Sequence, residues 1–160
     1  MISTPTLANP IEFRQALGRL AAGTTVVTLT DAHGVQMGFT ATAVSSVSLD
    51  PPLVLVCVNN KSRTIDPLSS GHPFVLNFLA ARQQALAMQF ASLSPHKFAD
   101  VDYTINPNGA IHLSDVLASV ECVPHHVAVA GDHTIVIGLV TETHIGADDS
   151  PLVYFRSQFI

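Results

Sequence analysis

Residues 119–129 and 133–145 are two long runs rich in Val, Ile and Thr, separated only by Ala130-Gly131-Asp132. Branched residues of this kind suit strands. A link of three residues is too short to return the chain to a parallel neighbour, so the two runs read as long strands of one antiparallel hairpin. The same alternation of strand-sized runs and turns recurs along the chain. Residues 24–30 are β-branched and apolar, Asp31-Ala32-His33-Gly34 reads as a turn, and residues 35–39 return as the hairpin partner. Residues 53–58, 74–79 and 152–155 read as further strands. The region 94–115 is rich in loop residues, with a strong turn at Asn106-Pro107-Asn108-Gly109.

Helices are few. Asn9, Pro10 and Glu12 form a start signal, and Phe13, Ala16, Leu17, Leu20 and Ala21 recur at helical spacing until Gly23. A short helix is predicted over 64–69 and a longer one over about 82–92. Many strands joined by short turns predict a mainly β fold, a barrel with a few flanking helices, and not a doubly wound sheet.

The 160 residues are expected to form one domain, 1–160, with residues 1–9 a flexible N-terminal tail. Hydrophobic residues make up 48% and charged residues 12%, against about 25% charged in an ordinary soluble domain. So few charges cover a lone subunit poorly, and a subunit interface is expected. A membrane is not, because no apolar run approaches the roughly 20 residues of a spanning helix. A net charge of −5 with no basic run argues against nucleic acid. Without a secretory signal the chain reads as cytoplasmic, and Cys57 and Cys122 as buried free thiols.

The most distinctive stretch is residues 38–48, Gly-Phe-Thr-Ala-Thr-Ala-Val-Ser-Ser-Val-Ser. Eight of its eleven positions are small or hydroxylated, where a core strand would carry large side chains. Two readings stand: a cradle that lets a flat ring approach the peptide groups, or a tightly packed strand pair near a barrel corner.

This stretch resembles the matching region of the short flavin reductases, the reductase components of two-component flavin monooxygenases. The resemblance continues through Asn60-Lys61-Ser62-Arg63-Thr64, residues 74–79, Phe90-Ala91, Lys97-Phe98, Glu121-Cys122, Gly131-Asp132-His133 and residues 151–155. It implies a split β-barrel of the FMN-binding, Greek-key type that forms a homodimer. It further implies binding of FMN or FAD, reduction by NADH or NADPH, and delivery of reduced flavin to a separate oxygenase. A non-catalytic flavin-binding or electron-transfer protein on the same barrel is the alternative.

Under that resemblance Thr40, Ala41, Thr42, Ala43, Val44, Ser45 and Ser46 are candidates to line the flavin ring. Asn60, Lys61, Ser62, Arg63 and Thr64 offer cations and hydroxyls to its phosphate, or else form a solvated turn. His133 is the candidate catalytic residue beside the nicotinamide, or else packs at a hairpin edge. Phe90 and Phe98 are core aromatics that could touch the flavin edge. No metal is expected, because His125 and His126 are adjacent on a strand and point to opposite faces. The absence of Gly-x-Gly-x-x-Gly leaves a Rossmann dinucleotide site without support.

Overall fold

A computed structural model describes residues 6–146 and 148–160. Helix α1, Pro10–Leu17, starts as the sequence predicts, with the Asn9 side chain accepting from the Ile11 amide at 2.8 Å. It ends at Gly18 and not at Gly23, because residues 22–23 form a short strand instead, β1, Ala22–Gly23. The expected tail of residues 1–9 lies partly outside the described residues, which begin at position 6.

The chain then builds β2, Thr25–Thr30, β3, Gln36–Ala41, β4, Val44–Leu49, and β5, Pro52–Asn59. Helix α2, Ile65–Ser69, strand β6, Phe74–Phe78, and helix α3, Gln84–Ala91, follow. The expected loop region 94–115 holds a small hairpin, β7, Tyr103–Ile105, and β8, Ile111–Leu113. The long hairpin is β9, Ala118–Ala130, and β10, His133–Ile145, turned at Gly131 with φ +68°. Strands β11, Val153–Phe155, and β12, Gln158–Phe159, close the chain, the last unforeseen from sequence.

Seven strands form one sheet in the order β3-β2-β6-β9-β10-β5-β4, antiparallel throughout. Its two outer strands, β3 and β4, are consecutive in sequence and joined only by Thr42 and Ala43. Two residues cannot cross the width of a seven-stranded sheet, so the sheet curls until its edges meet at this corner. There the Cys57 amide donates to the Ala43 carbonyl at 3.0 Å. Strands β3 and β4 do not pair with each other, which leaves the barrel seam split. The mainly β, antiparallel class read from sequence is the fold found.

Side chains inside the curl, Val27, Leu29, Val54, Val56, Val58, Phe74, Leu76 and Val136 among them, make one core cluster. A second cluster, with Val26, Leu79, Phe90, Leu113 and Leu152, packs outside it beneath α3. Buried Asn77 joins the layers, donating to the Val26 carbonyl and the Thr28 hydroxyl and accepting from the Leu113 amide.

Candidate functional site

The corner where the sheet closes is one wall of a cleft of about 550 Å³, a volume typical of small-molecule sites. Residues 39–43 form that wall. The second is the end of β5 and the loop after it, with Cys57, Asn59, Lys61 and Ser62. The third is the end of α3 and the segment beyond, from Phe90 to Leu93 with Lys97. His133 completes the lining.

Pairing of β5 with β10 sets His133 opposite Asn59. Asn60 then fastens the two turns together. Its side-chain amide donates to the Gly131 carbonyl at 3.1 Å, its backbone amide to the Asp132 carbonyl at 3.0 Å, and its Oδ1 accepts from Thr134 at 2.8 Å. Asn60 therefore positions the site without lining it. His133 is half-buried, and its Nδ1 lies 2.8 Å from Asp132 Oδ1, which orients the ring and leaves the Nε2 edge without a protein partner among the described residues. The hydrogen bond and charge of His133 hold the Asp132 carboxyl below its ordinary range.

Lys97 comes back to the cleft because Gln89 of α3 donates to the carbonyls of Lys97 and Ala99, at 2.9 and 2.8 Å. Its ammonium bridges two walls, donating to the Gly38 carbonyl at 3.0 Å and the Phe90 carbonyl at 2.8 Å. Burial, helped by the positive charge of Arg63, pushes the Lys97 pKa below its usual value. Thr40 ties the same walls, its hydroxyl donating to the Ala87 carbonyl at 2.6 Å. At Gly38 an added Cβ would stand 2.6 Å from the Phe90 ring, so only glycine allows β3 and α3 to approach this closely.

A second cleft of about 380 Å³ opens from the first, sharing Lys61, Ser62, Ser92, Leu93 and Lys97. Arg63 and Thr64 line only this second cleft, and Thr64 is buried with its hydroxyl 2.7 Å from that of Ser62. Among the described residues, no Asp or Glu lines either cleft. Lys61, Arg63 and Lys97 have no ion-pair partner among the described residues, whose one Lys or Arg ion pair is Arg82 with Asp149.

The sequence candidates therefore divide. Thr40, Ala41, Thr42, Ala43, Lys61, Ser62, Phe90 and His133 come together around the first cleft. Val44, Ser45 and Ser46 do not line it, because the chain bends at Thr42 and Ala43 and crosses to the other edge of the sheet. Val44 packs on the core, and Ser45 and Ser46 are exposed on β4. Phe98 also stays outside, stacked edge-on between Phe90 and Tyr103. Cys57 was expected to be buried, and Cys122 is. Cys57 is only half-buried and lines the cleft.

Sequence reasoning missed Cys57, Asn59, Ser92, Leu93 and Lys97 as lining residues. Cys57 had a legible signal, since Val54, Val56 and Val58 face inward and strand alternation turns Cys57 the other way. Lys97 had none beyond its place in the Lys97-Phe98 pair, because its position depends on a return loop. No group of three or more His, Cys, Asp or Glu suited to a metal occurs among the described residues. No helix among them is long and apolar enough to cross a membrane.

An uncompensated cationic rim over a floor of small residues suits a flat ligand with a phosphate tail. Comparison with known proteins points the same way. The model of the flavin reductase like domain matches residues 17–160. The chain is 39% identical over 133 residues, 83% of its length, to the reductase subunit of stachydrine N-demethylase from Rhizobium meliloti (strain 1021). It spans 58% of that relative's length and 44% of another Rhizobium meliloti relative's. It is 35% identical over 151 residues to the reductase subunit HsaB of a flavin-dependent monooxygenase from Rhodococcus jostii (strain RHA1), covering 94% of this chain and 77% of the relative. Among solved structures, the NADH:FAD oxidoreductase of Streptomyces globisporus C-1027, in complex with NAD and FAD fragments, superposes with a TM-score of 0.89. The identity is 31%, and 98% of this chain and 96% of that one are covered.

Proposed function

The chain belongs to the flavin reductase like family, and on that footing we propose that it is an NAD(P)H:flavin oxidoreductase. The flavin accepts a hydride from the nicotinamide and a proton from solvent, giving NAD(P)⁺ and reduced flavin. The protein's task is to bind and orient. Residues 40–43 offer a floor without bulky side chains, so a ring system can lie against the peptide groups. Lys61 and Ser62 hold the phosphate by charge-assisted hydrogen bonds. Phe90 and Lys97 fix the third wall, and His133, steadied by Asp132, lies where it can contact the nicotinamide or the reacting ring.

One observation carries this reading: in a chain of net charge −5, three cations surround two adjoining clefts that, among the described residues, no carboxylate lines. The reduced flavin is released to a separate oxygenase component. The protein works as a homodimer in the cytoplasm. Supporting the dimer, α1 buries no residue, and its Ile11, Phe13 and Leu17 are at least half exposed.

The test is an anaerobic mixture of the protein with excess flavin and NADH or NADPH, followed by flavin absorbance. Catalytic bleaching is the expected result. Flavin that binds but stays oxidised would make the protein a carrier, and flavin that does not bind would remove the cleft from consideration. Sedimentation at equilibrium tests the dimer, with a monomer at micromolar concentration as the adverse result.

A further inference from the structure

Ile11, Arg14, Gln15 and Gly18 recur at the spacing that sets them on one side of α1 and its cap. That side meets the turn between β11 and β12 across an open cleft of about 610 Å³, which Arg19, Arg156 and Ser157 complete. Phe13 and Leu17, exposed and apolar, fall off this stripe and do not line the cleft. The three arginines are exposed and without an ion-pair partner among the described residues, and no Asp or Glu among those residues shares the lining.

The turn presents Arg156 at a conformational cost. Arg156 and Ser157 form a two-residue hairpin loop with φ of +50° and +62°, a backbone that favours Asn and Gly. Strain of this kind gathers where ligands are clamped. The Arg156 amide donates to the Gly18 carbonyl at 2.8 Å, which fastens the turn to the end of α1. Its guanidinium stands 5.1 Å from the centre of the Phe155 ring, a cation–π contact that steadies the side chain.

Exposure decides what such a surface can hold. A small anion here would stay largely in water, whereas small-molecule sites enclose most of their ligand. A protein surface can cover the cleft, set carboxylates against the guanidiniums and pack on Ile11. Charge narrows the choice further. Of the seven Lys and Arg residues, three line the two clefts described above and Arg82 is paired, so these three form the remaining cationic surface of a chain of net charge −5. An acidic partner is repelled elsewhere and steered here.

From this arrangement, and resting on the reading above that reduced flavin passes to a separate oxygenase, we propose that the cleft of Arg14, Arg19 and Arg156 docks an acidic segment of the oxygenase component.

The probe is a short rhodamine-labelled peptide of Glu, Asp and Leu, titrated with the full chain at low salt and followed by anisotropy. Combining Arg14→Gln with Arg156→Gln is expected to weaken binding by about tenfold or more, while NADH-driven flavin reduction stays at the parent's rate. Lys61→Gln leaves peptide binding unchanged. If the Arg156 variant fails to fold, Arg14→Gln with Arg19→Gln decides. Equal peptide affinity in parent and double variant overturns the proposal, and so does a loss of binding in Lys61→Gln, which would move the peptide to the other clefts. Displacement of the peptide by pyrophosphate at a lower concentration than by unlabelled peptide would make the cleft a small-anion site, and tighter binding of a DNA duplex would make it a nucleic-acid surface; either sinks the idea. A change of oligomeric state in the double variant, read by sedimentation, would instead make this face a contact between copies of the chain and equally overturns it. Absence of flavin reduction in the parent is a different failure, that of the reductase reading, and leaves the peptide result standing.

Discussion

His133 illustrates how one side chain depends on its neighbours before it can act. Its ring is aimed by Asp132, and the turn carrying both is held by Asn60. Replacement His133→Ala is expected to lower the rate of flavin reduction by about tenfold or more while changing flavin affinity little. Stopped-flow reduction beside a flavin titration separates the two, and equal reduction rates in variant and parent would make the histidine structural. Glu121 is the other residue whose surroundings decide its behaviour. Burial works against its ionisation, yet hydrogen bonds from Asn108, His112 and Asn106 outweigh that and hold its carboxyl below the ordinary range. A carboxyl depressed in the folded state adds stability above its unfolded pKa, and that stability is lost as pH falls through the folded value. Glu121→Gln should therefore lower Tm at neutral pH and flatten the decline of Tm through the acid range. A variant curve parallel to the parent's would falsify the assignment.

Among elements, β3 and its corner carry the most. The close contact at Gly38 predicts that Gly38→Ala destabilises the fold by about 1–3 kcal/mol, because Phe90 or β3 must move. The displaced wall should also loosen flavin, and unchanged urea midpoints with unchanged affinity would contradict the packing described. The β9 and β10 hairpin was legible in the sequence because its pattern and its turn are both local. The loop 60–64 was legible too, since it directly follows a strong strand. The failures share one cause. Whether Val44 to Ser46 continue the cradle depends on a bend at Thr42 and Ala43, and that bend follows from the closure of the whole sheet. The β7 and β8 hairpin is held by distant partners, Thr28 donating to the Ile111 carbonyl and Thr30 to the Gly109 carbonyl, and so left no periodic trace. Helix α1 reads as longer than it is because its last apolar residues fit the helical spacing, whereas pairing of β1 with β11 draws residues 22–23 into a strand.

Across the whole molecule the seven Lys and Arg residues are unevenly placed. Three line the joined clefts, Arg14, Arg19 and Arg156 line another where α1 meets the turn after β11, and Arg82 is paired with Asp149. Binding of an anionic flavin should therefore weaken as salt rises from low concentration to about 0.1 M, where screening acts over roughly 10 Å. Riboflavin, lacking the phosphate, should show little of this dependence, and equal salt effects on both would argue that the cations are bystanders. The chain's two thiols have a practical consequence as well. Cys122 is sealed in the core, its pKa pushed up to about 12 by burial and the nearby Glu121 charge, whereas Cys57 opens on the cleft. An alkylating reagent should thus label the native protein once, at Cys57, and a bound flavin should shield it, so that the unaltered chain bears its own footprinting probe for occupancy.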